Sequence, residues 1–148
     1  MALSIEVPQR ETCVFCEYLA DRRPYTIVRR DDRAAMLVTR EQRGTPHALV
    51  IPIAHRETVL DLADEELDAV IRMVRAAARA FDAEWARPGI AVWQNNGVPA
   101  SQHVPHAHFH VVGTLDEGGT HWGELPRLSL DETELIAERL RVGLGLDG

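Results

Sequence analysis

Three histidines stand at alternate positions in His106-Ala107-His108-Phe109-His110-Val111-Val112, out of seven in a chain of 148 residues. Pro105 disfavours a helix for the residue before it, and the apolar, β-branched tail suits a strand. In a strand, successive side chains leave on opposite faces. His106, His108 and His110 are therefore expected on one face, with Cα atoms roughly 6.6–7 Å apart, while Ala107, Phe109 and Val111 face a core. Such a row has three uses. It can chelate a metal at about 2.0–2.1 Å per nitrogen. Its middle member can be a nucleophile or general base that its neighbours orient. Or the three are polar positions on a solvated sheet face. The strict period of two, beside a loop of turn residues over Asn95–Gln102, makes the last reading the weakest.

Cys13-Val14-Phe15-Cys16 holds the only two cysteines. C-x-x-C spacing reads as half a zinc site, as a redox pair or as two structural thiols. A redox pair usually follows a strand at a helix N-terminus, and no strand is expected here, so zinc is favoured if two more ligands lie near. His47 begins an apolar run and reads as a hydrogen-bonded structural residue.

Around these residues the chain predicts an α+β domain. Tyr25–Arg30 and Ala34–Thr39 read as a hairpin about Asp31-Asp32, and His47–Ile53 as a buried strand. Between Asp61 and Trp85, Leu62, Leu67, Val70, Ile71, Val74, Ala78 and Phe81 recur at helical steps, with acids at the start and Pro88-Gly89 as a stop. Ile90–Gln94 is a further strand, and Asp131–Val142 a closing helix capped by Ser129 or Asp131. The expectation is one domain over 1–148, with a loose arm over 1–12 and a C-terminal segment and helix over 126–148. The sheet is mostly antiparallel.

Composition narrows the functions. A net charge of −7 argues against a general nucleic-acid binder. No apolar run reaches the ~20 residues of a membrane span and no export signal is evident, so a cytoplasmic location is expected. All 16 basic residues are arginine. Without lysine, a lysine-bearing phosphate loop and Schiff-base chemistry are both excluded.

Together these motifs resemble the histidine triad (HIT) family. Asn95–Gln102 followed by His106–Val112 is similar to its signature, His-φ-His-φ-His-φ-φ with φ apolar. Cys13–Cys16 resembles the C-x-F-C opening of bacterial members, and His47–Pro52 their H-x-L-V-I-P strand, with His55 shortly after. The likeness covers roughly residues 13–125. It implies a five-stranded antiparallel sheet with one long and one C-terminal helix, a homodimer, and hydrolysis or transfer at the α-phosphorus of a nucleotide. A binding module with little turnover is the non-enzymatic alternative. It also implies a covalent nucleotidyl group on His108, with His110 donating to a phosphate oxygen or the leaving group and Gln102 among the catalytic residues. Asn95, Ser101, Gln102, His103 and Thr39 would contact phosphate and ribose. Cys13, Cys16, His55 and His106 would hold a structural zinc.

The chain departs from that pattern at three places. Ser101 stands where the family usually has glycine, and His103 where it usually has Ser or Thr. Thr39 falls where many members carry an acid or amide that grips the ribose, followed by a polar Arg40–Thr45 loop. The chemistry is expected to survive these changes, whereas ordinary adenosine recognition is in doubt. Trp122 is a further candidate for shaping specificity.

Overall fold

The computed structural model describes residues 4–146. Five strands, β1 (Ile27–Arg30), β2 (Ala34–Val38), β3 (His47–Pro52), β4 (Ile90–Gln94) and β5 (Phe109–Gly113), form one antiparallel sheet in the order β1-β2-β3-β5-β4. Three α-helices accompany it: α1 (Val14–Leu19), α2 (Asp64–Trp85) and α3 (Leu130–Gly143). The fold is α+β, as the sequence implies. The β1–β2 hairpin turns at Asp31, whose carboxylate accepts the N–H groups of Arg33 and Ala34 at 2.8 and 2.9 Å.

α2 and α3 lie on one face, where Val70, Met73, Val74, Ala77 and Phe81 pack with Ala137 and Leu140 against Met36, Val38, Val50 and Val111. Burying each large side chain contributes about 1.5–3 kcal/mol. The stripe is rotated from the expected one. Ile71 is 51% exposed and Met73 takes the inward place, because the sheet meets the line through 70, 73, 74, 77 and 81. The helix also begins later than Asp61. Residues Val59–Asp61 form a separate 3-10 turn capped by Thr58, and Glu66 accepts the Ala63 N–H at 2.8 Å to start α2.

The opposite face is also covered. Phe15 sits with Ala35, Leu37, Leu49 and Ile51, and Tyr18, Tyr25 and Val104 pack around them. This explains why β2 and β3 are buried along their whole length. α1 supplies Phe15, and the sequence reading missed this helix. It has only six residues, too few for a periodic signal, and is capped by the Cys13 sulfur, which accepts the Cys16 N–H. Of the expected arm, residues 1–3 lie outside the described residues; residues 4–12 form no helix or strand but are held, since Glu6 O accepts the Val98 N–H at 2.6 Å.

Two features set the histidine segment against the sheet. Gly44 and Gly113 lie where a Cβ would collide with the facing main chain or side chains. Thr45 N and Gly113 N there donate to Gly113 O and Pro46 O, at 2.8 and 2.9 Å. At the other end, Arg56 pairs with Glu66 at 3.0 Å while its own carbonyl accepts the Ala107 N–H at 2.6 Å. The start of α2 thus holds the chain between His106 and His108.

Candidate active site

The predicted histidine strand is shorter than expected. β5 begins at Phe109, so only His110 belongs to it. His106 and His108 precede it because Ala107 bonds to Arg56 rather than to a strand. The rings nevertheless follow one another along the face that α1 covers. Phe15 lies 5.7 Å from His106 and 5.2 Å from His108 between ring centroids, and His108 lies 5.1 Å from His110.

Each ring commits one nitrogen to a partner, and that partner decides what the other nitrogen can do. His106 Nε2 is 2.8 Å from Pro52 O. A carbonyl only accepts, so Nε2 carries the proton and Nδ1 presents a lone pair. His108 Nδ1 donates in the same way to His106 O at 2.7 Å, which leaves the lone pair on Nε2. His110 is different. Arg43 N–H donates to His47 Nδ1 at 3.1 Å, so His47 Nε2 carries a proton and donates it to His110 Nδ1 at 3.0 Å. A neutral His110 then holds its proton on Nε2. No buried side-chain nitrogen or oxygen lacks a partner among the described residues. The unpartnered Nε2 atoms of His108 and His110 are therefore open to solvent, one as a lone pair and the other as an N–H donor.

Burial keeps these rings neutral. It takes His47 down to about 3, His110 to about 2 and His106 to about 4, and it also lowers His108. The free base of His108 is thus the form present near neutrality. A protonated neighbour, which imidazole chemistry alone allows, is not what this burial favours.

Beyond His106 lies a cluster with the chemistry of a zinc site. One ligand atom each from Cys13, Cys16, His55 and His106 falls within 4.8 Å of all the others. Cys13 Sγ and Cys16 Sγ are 3.4 and 3.6 Å from His106 Nδ1, and Cys16 Sγ is 3.4 Å from His55 Nδ1. Tetrahedral zinc, with bonds of about 2.3 Å to sulfur and 2.0–2.1 Å to nitrogen, separates such atoms by roughly 3.5 Å. The His106–Pro52 bond is the outer contact that such a ligand needs. Burial, then the neighbouring Cys13, push the Cys16 thiol up to about 11, so a dication is what would draw off its proton. The residues fit a closed Cys2His2 set that leaves His108 out.

The other expected residues are placed less uniformly. Gln102 is buried and its amide is fully used: Oε1 accepts Gly97 N–H at 2.7 Å, and Nε2 donates to Glu57 O at 2.7 Å and Val104 O at 2.9 Å. It braces the loop, and its expected direct catalytic contact has no free donor here. Asn95 Nδ2 donates to Ala100 O at 2.8 Å. Ser101 is exposed with φ 68°. His103 is exposed, its carbonyl held by Arg10. Thr39 lies just past β2, its hydroxyl accepting the Glu41 N–H at 3.3 Å.

Sequence reasoning missed two participants and the partner of a third. His47 is structural, as expected, but its partner is His110. Trp93 stacks on His110 at 4.9 Å and 16°, and Phe15 wedges against the other two rings. Strand alternation on β4 and the aromatic in C-x-F-C were the available signals.

Residues 21–117 match the model of the HIT domain. The protein hit of Bacillus subtilis is 32% identical over 73% of this chain and 74% of its own length. The adenosine 5'-monophosphoramidase hnt1 of Schizosaccharomyces pombe is 27% identical over 87% of this chain and 96% of its own. A zinc-bound histidine triad family protein from Mycobacterium smegmatis has a TM-score of 0.78 at 25% identity, covering 90% of this chain and 94% of that one. With a matching domain that spans the sheet, the long helix and all three alternating histidines, this chain belongs to the HIT family.

Proposed function

We propose that the chain is a nucleotide hydrolase that cleaves at the α-phosphorus through a nucleotidyl group carried on His108. One observation carries this reading: the open Nε2 lone pair of His108 beside the open Nε2–H of His110. A neutral nucleophile suits an anionic phosphorus. His108 Nε2 forms a bond to phosphorus while the bond to the leaving group breaks. The leaving group takes the electron pair and then a proton from solvent. The imidazolium so formed keeps its Nδ1–H on the His106 carbonyl. Water then attacks phosphorus and releases a proton to solvent, the P–N bond breaks with its electron pair returning to Nε2, and His108 returns neutral.

His110 donates its N–H to a non-bridging oxygen. Giving that proton away would leave an imidazolate, so hydrogen bonding rather than transfer is its part. Asn95, Ser101 and His103 border the nucleotide from the loop that Gln102 holds, and Thr39 borders it from the end of β2. Cys13, Cys16, His55 and His106 would hold a zinc ion that ties α1 and the His55 loop to the main chain carrying His108. A bound zinc supplies cohesion there. The relatives named as adenosine 5'-monophosphoramidases support a phosphoramidate as substrate class. A homodimer in the cytosol completes the reading; β4, an outer strand with Val92 46% exposed, offers an edge for a second sheet.

The test is rapid denaturation during turnover of adenosine 5'-phosphoramidate, followed by peptide mass analysis. A nucleotidyl group on His108 is expected; turnover with the adduct on another residue would overturn the assignment. Appearance of a nucleoside diphosphate when inorganic phosphate is added would show transfer instead of hydrolysis.

A further inference from the structure

On the side of His108 away from Trp93, the site continues as an aromatic floor toward β1. Phe15 is followed by Tyr18 at 6.1 Å between centroids, and Tyr18 stacks on Tyr25 at 4.0 Å and 5°. Leu37 and Leu49 lie beneath them. The floor ends at Arg40, whose N–H donates to the Tyr25 hydroxyl at 3.3 Å and whose Nε donates to Leu128 O at 2.6 Å. Leu128 N returns a bond to Arg40 O at 2.8 Å, which brings Arg127 alongside. Arg23 lies two residues before Tyr25. The positive charge of Arg23, Arg127 and Arg40 reaches the Tyr18 phenol, although burial prevails and raises its pKa.

None of these three arginines is in an ion pair among the described residues, whereas Glu17 on α1 is already taken by Arg22 at 2.6 Å. In a chain of net charge −7, unpaired guanidiniums gathered at the end of an apolar floor need an explanation. Their forked donors match a phosphate. Position narrows the ligand further. A nucleotide with its α-phosphorus at His108 and its nucleoside on the Phe15 side would bring its sugar toward the end of β2. Thr39 offers a hydroxyl there and no repelling carboxylate. An acid at such a place selects free ribose hydroxyls, and an arginine a ribose phosphate.

We propose that Arg40, Arg23 and Arg127 form a second phosphate subsite, and that the preferred substrate is a nucleotide carrying an additional phosphate on its ribose. This rests on the reading of His108 as the nucleotidyl carrier. The experiment is calorimetric titration with adenosine 5'-phosphate, adenosine 3',5'-bisphosphate and adenosine 2',5'-bisphosphate at low and moderate salt. One of the bisphosphates should bind on the order of tenfold more tightly than the monophosphate, and the ratio should shrink with salt. R40Q should bring the ratio close to one. So should the double variant R23Q/R127Q, which alters two exposed residues outside any hydrogen bond described. R75Q, an exposed change on α2, should leave it as it was. Equal binding of all three ligands by the wild type, or a ratio that survives both variants, overturns the subsite. If the phosphoramidate still labels His108 in that case, only the subsite falls. If no nucleotide binds or labels, both proposals fall.

Discussion

The two ends of the histidine row contain the same residue type and are built for opposite purposes. At the His106 end, two thiols and His55 converge on a lone pair, and the ring is fixed from behind by the Pro52 carbonyl. At the His110 end there is no sulfur: His47 donates to the ring and Trp93 lies flat against it. A carbonyl behind the ring turns a lone pair outward; an imidazole N–H behind it turns a proton outward. His108, between them, borrows the carbonyl of His106 and so acquires the lone pair without joining the cluster. The acceptor or donor behind each ring, more than its place in the period, assigns its role.

The largest effect should come from the middle. His108→Ala is expected to lower kcat/KM on the order of 10⁴-fold or more, with fold and zinc content unchanged. Loss of metal in that variant would move His108 into the cluster and erase the contrast between the ends. Next comes the His106 end. Cys13→Ser, Cys16→Ser or His55→Ala should lower bound zinc in elemental analysis and cost several kcal/mol in denaturant unfolding. Freshly purified wild type without zinc would remove that half of the comparison.

The His110 end should respond more mildly. His47→Ala takes away the donor that sets the His110 tautomer, and a loss of about 10- to 100-fold in kcat is expected by analogy with other orienting contacts. Zinc content should stay the same; a fall in zinc would mean the two ends are not separate. His47 also gives a pH signature. Its folded pKa of about 3 lies below the ordinary 6.5. Below pH 6.5 the unfolded chain takes up a proton that native His47 refuses, so the unfolded state binds more. Stability is full above 6.5 and is lost as pH falls toward 3, by up to about 1.4 kcal/mol per pH unit for this one group. Urea unfolding from pH 7.5 to 4.5 should show a shallower acid slope in His47→Gln than in wild type.

Much of the architecture is legible because it depends on repeated local signals. The stripe on α2, the Asp31 turn, the Ser129 cap and the apolar β3 run each announce an element within a few residues. The cluster was legible for another reason, since Cys13, Cys16, His55 and His106 match a known pattern whose spacing is set by the fold. What could not be read depends on distant partners. Nothing near Gln102 indicates that its amide is used on Gly97, Glu57 and Val104, and nothing near His47 that it faces His110. Strand alternation predicted His106 and His108 inside β5, but the Ala107 N–H is claimed by Arg56, a long-range bond without a local signature. α1 escaped because one and a half turns capped by sulfur leave no periodicity to detect.

The smallest effect concerns the loop between the two ends. Ser101 adopts φ 68° and ψ 31° at the end of a short 3-10 turn, where its N–H bonds to Val98 O at 2.9 Å. A non-glycine residue in the left-handed region carries about 1–2 kcal/mol of strain, and glycine recovers part of it while losing about 0.5–1 kcal/mol through its freer unfolded chain. Ser101→Gly should therefore stabilise the protein by roughly 0.5 kcal/mol, read as a small rise in urea midpoint at constant m. The hydroxyl makes no hydrogen bond among the described residues, so no stability is lost with it. An unchanged or lower midpoint would show that the loop around Ser101 gains from the side chain, which would make this serine part of the bridge between the His106 and His110 ends.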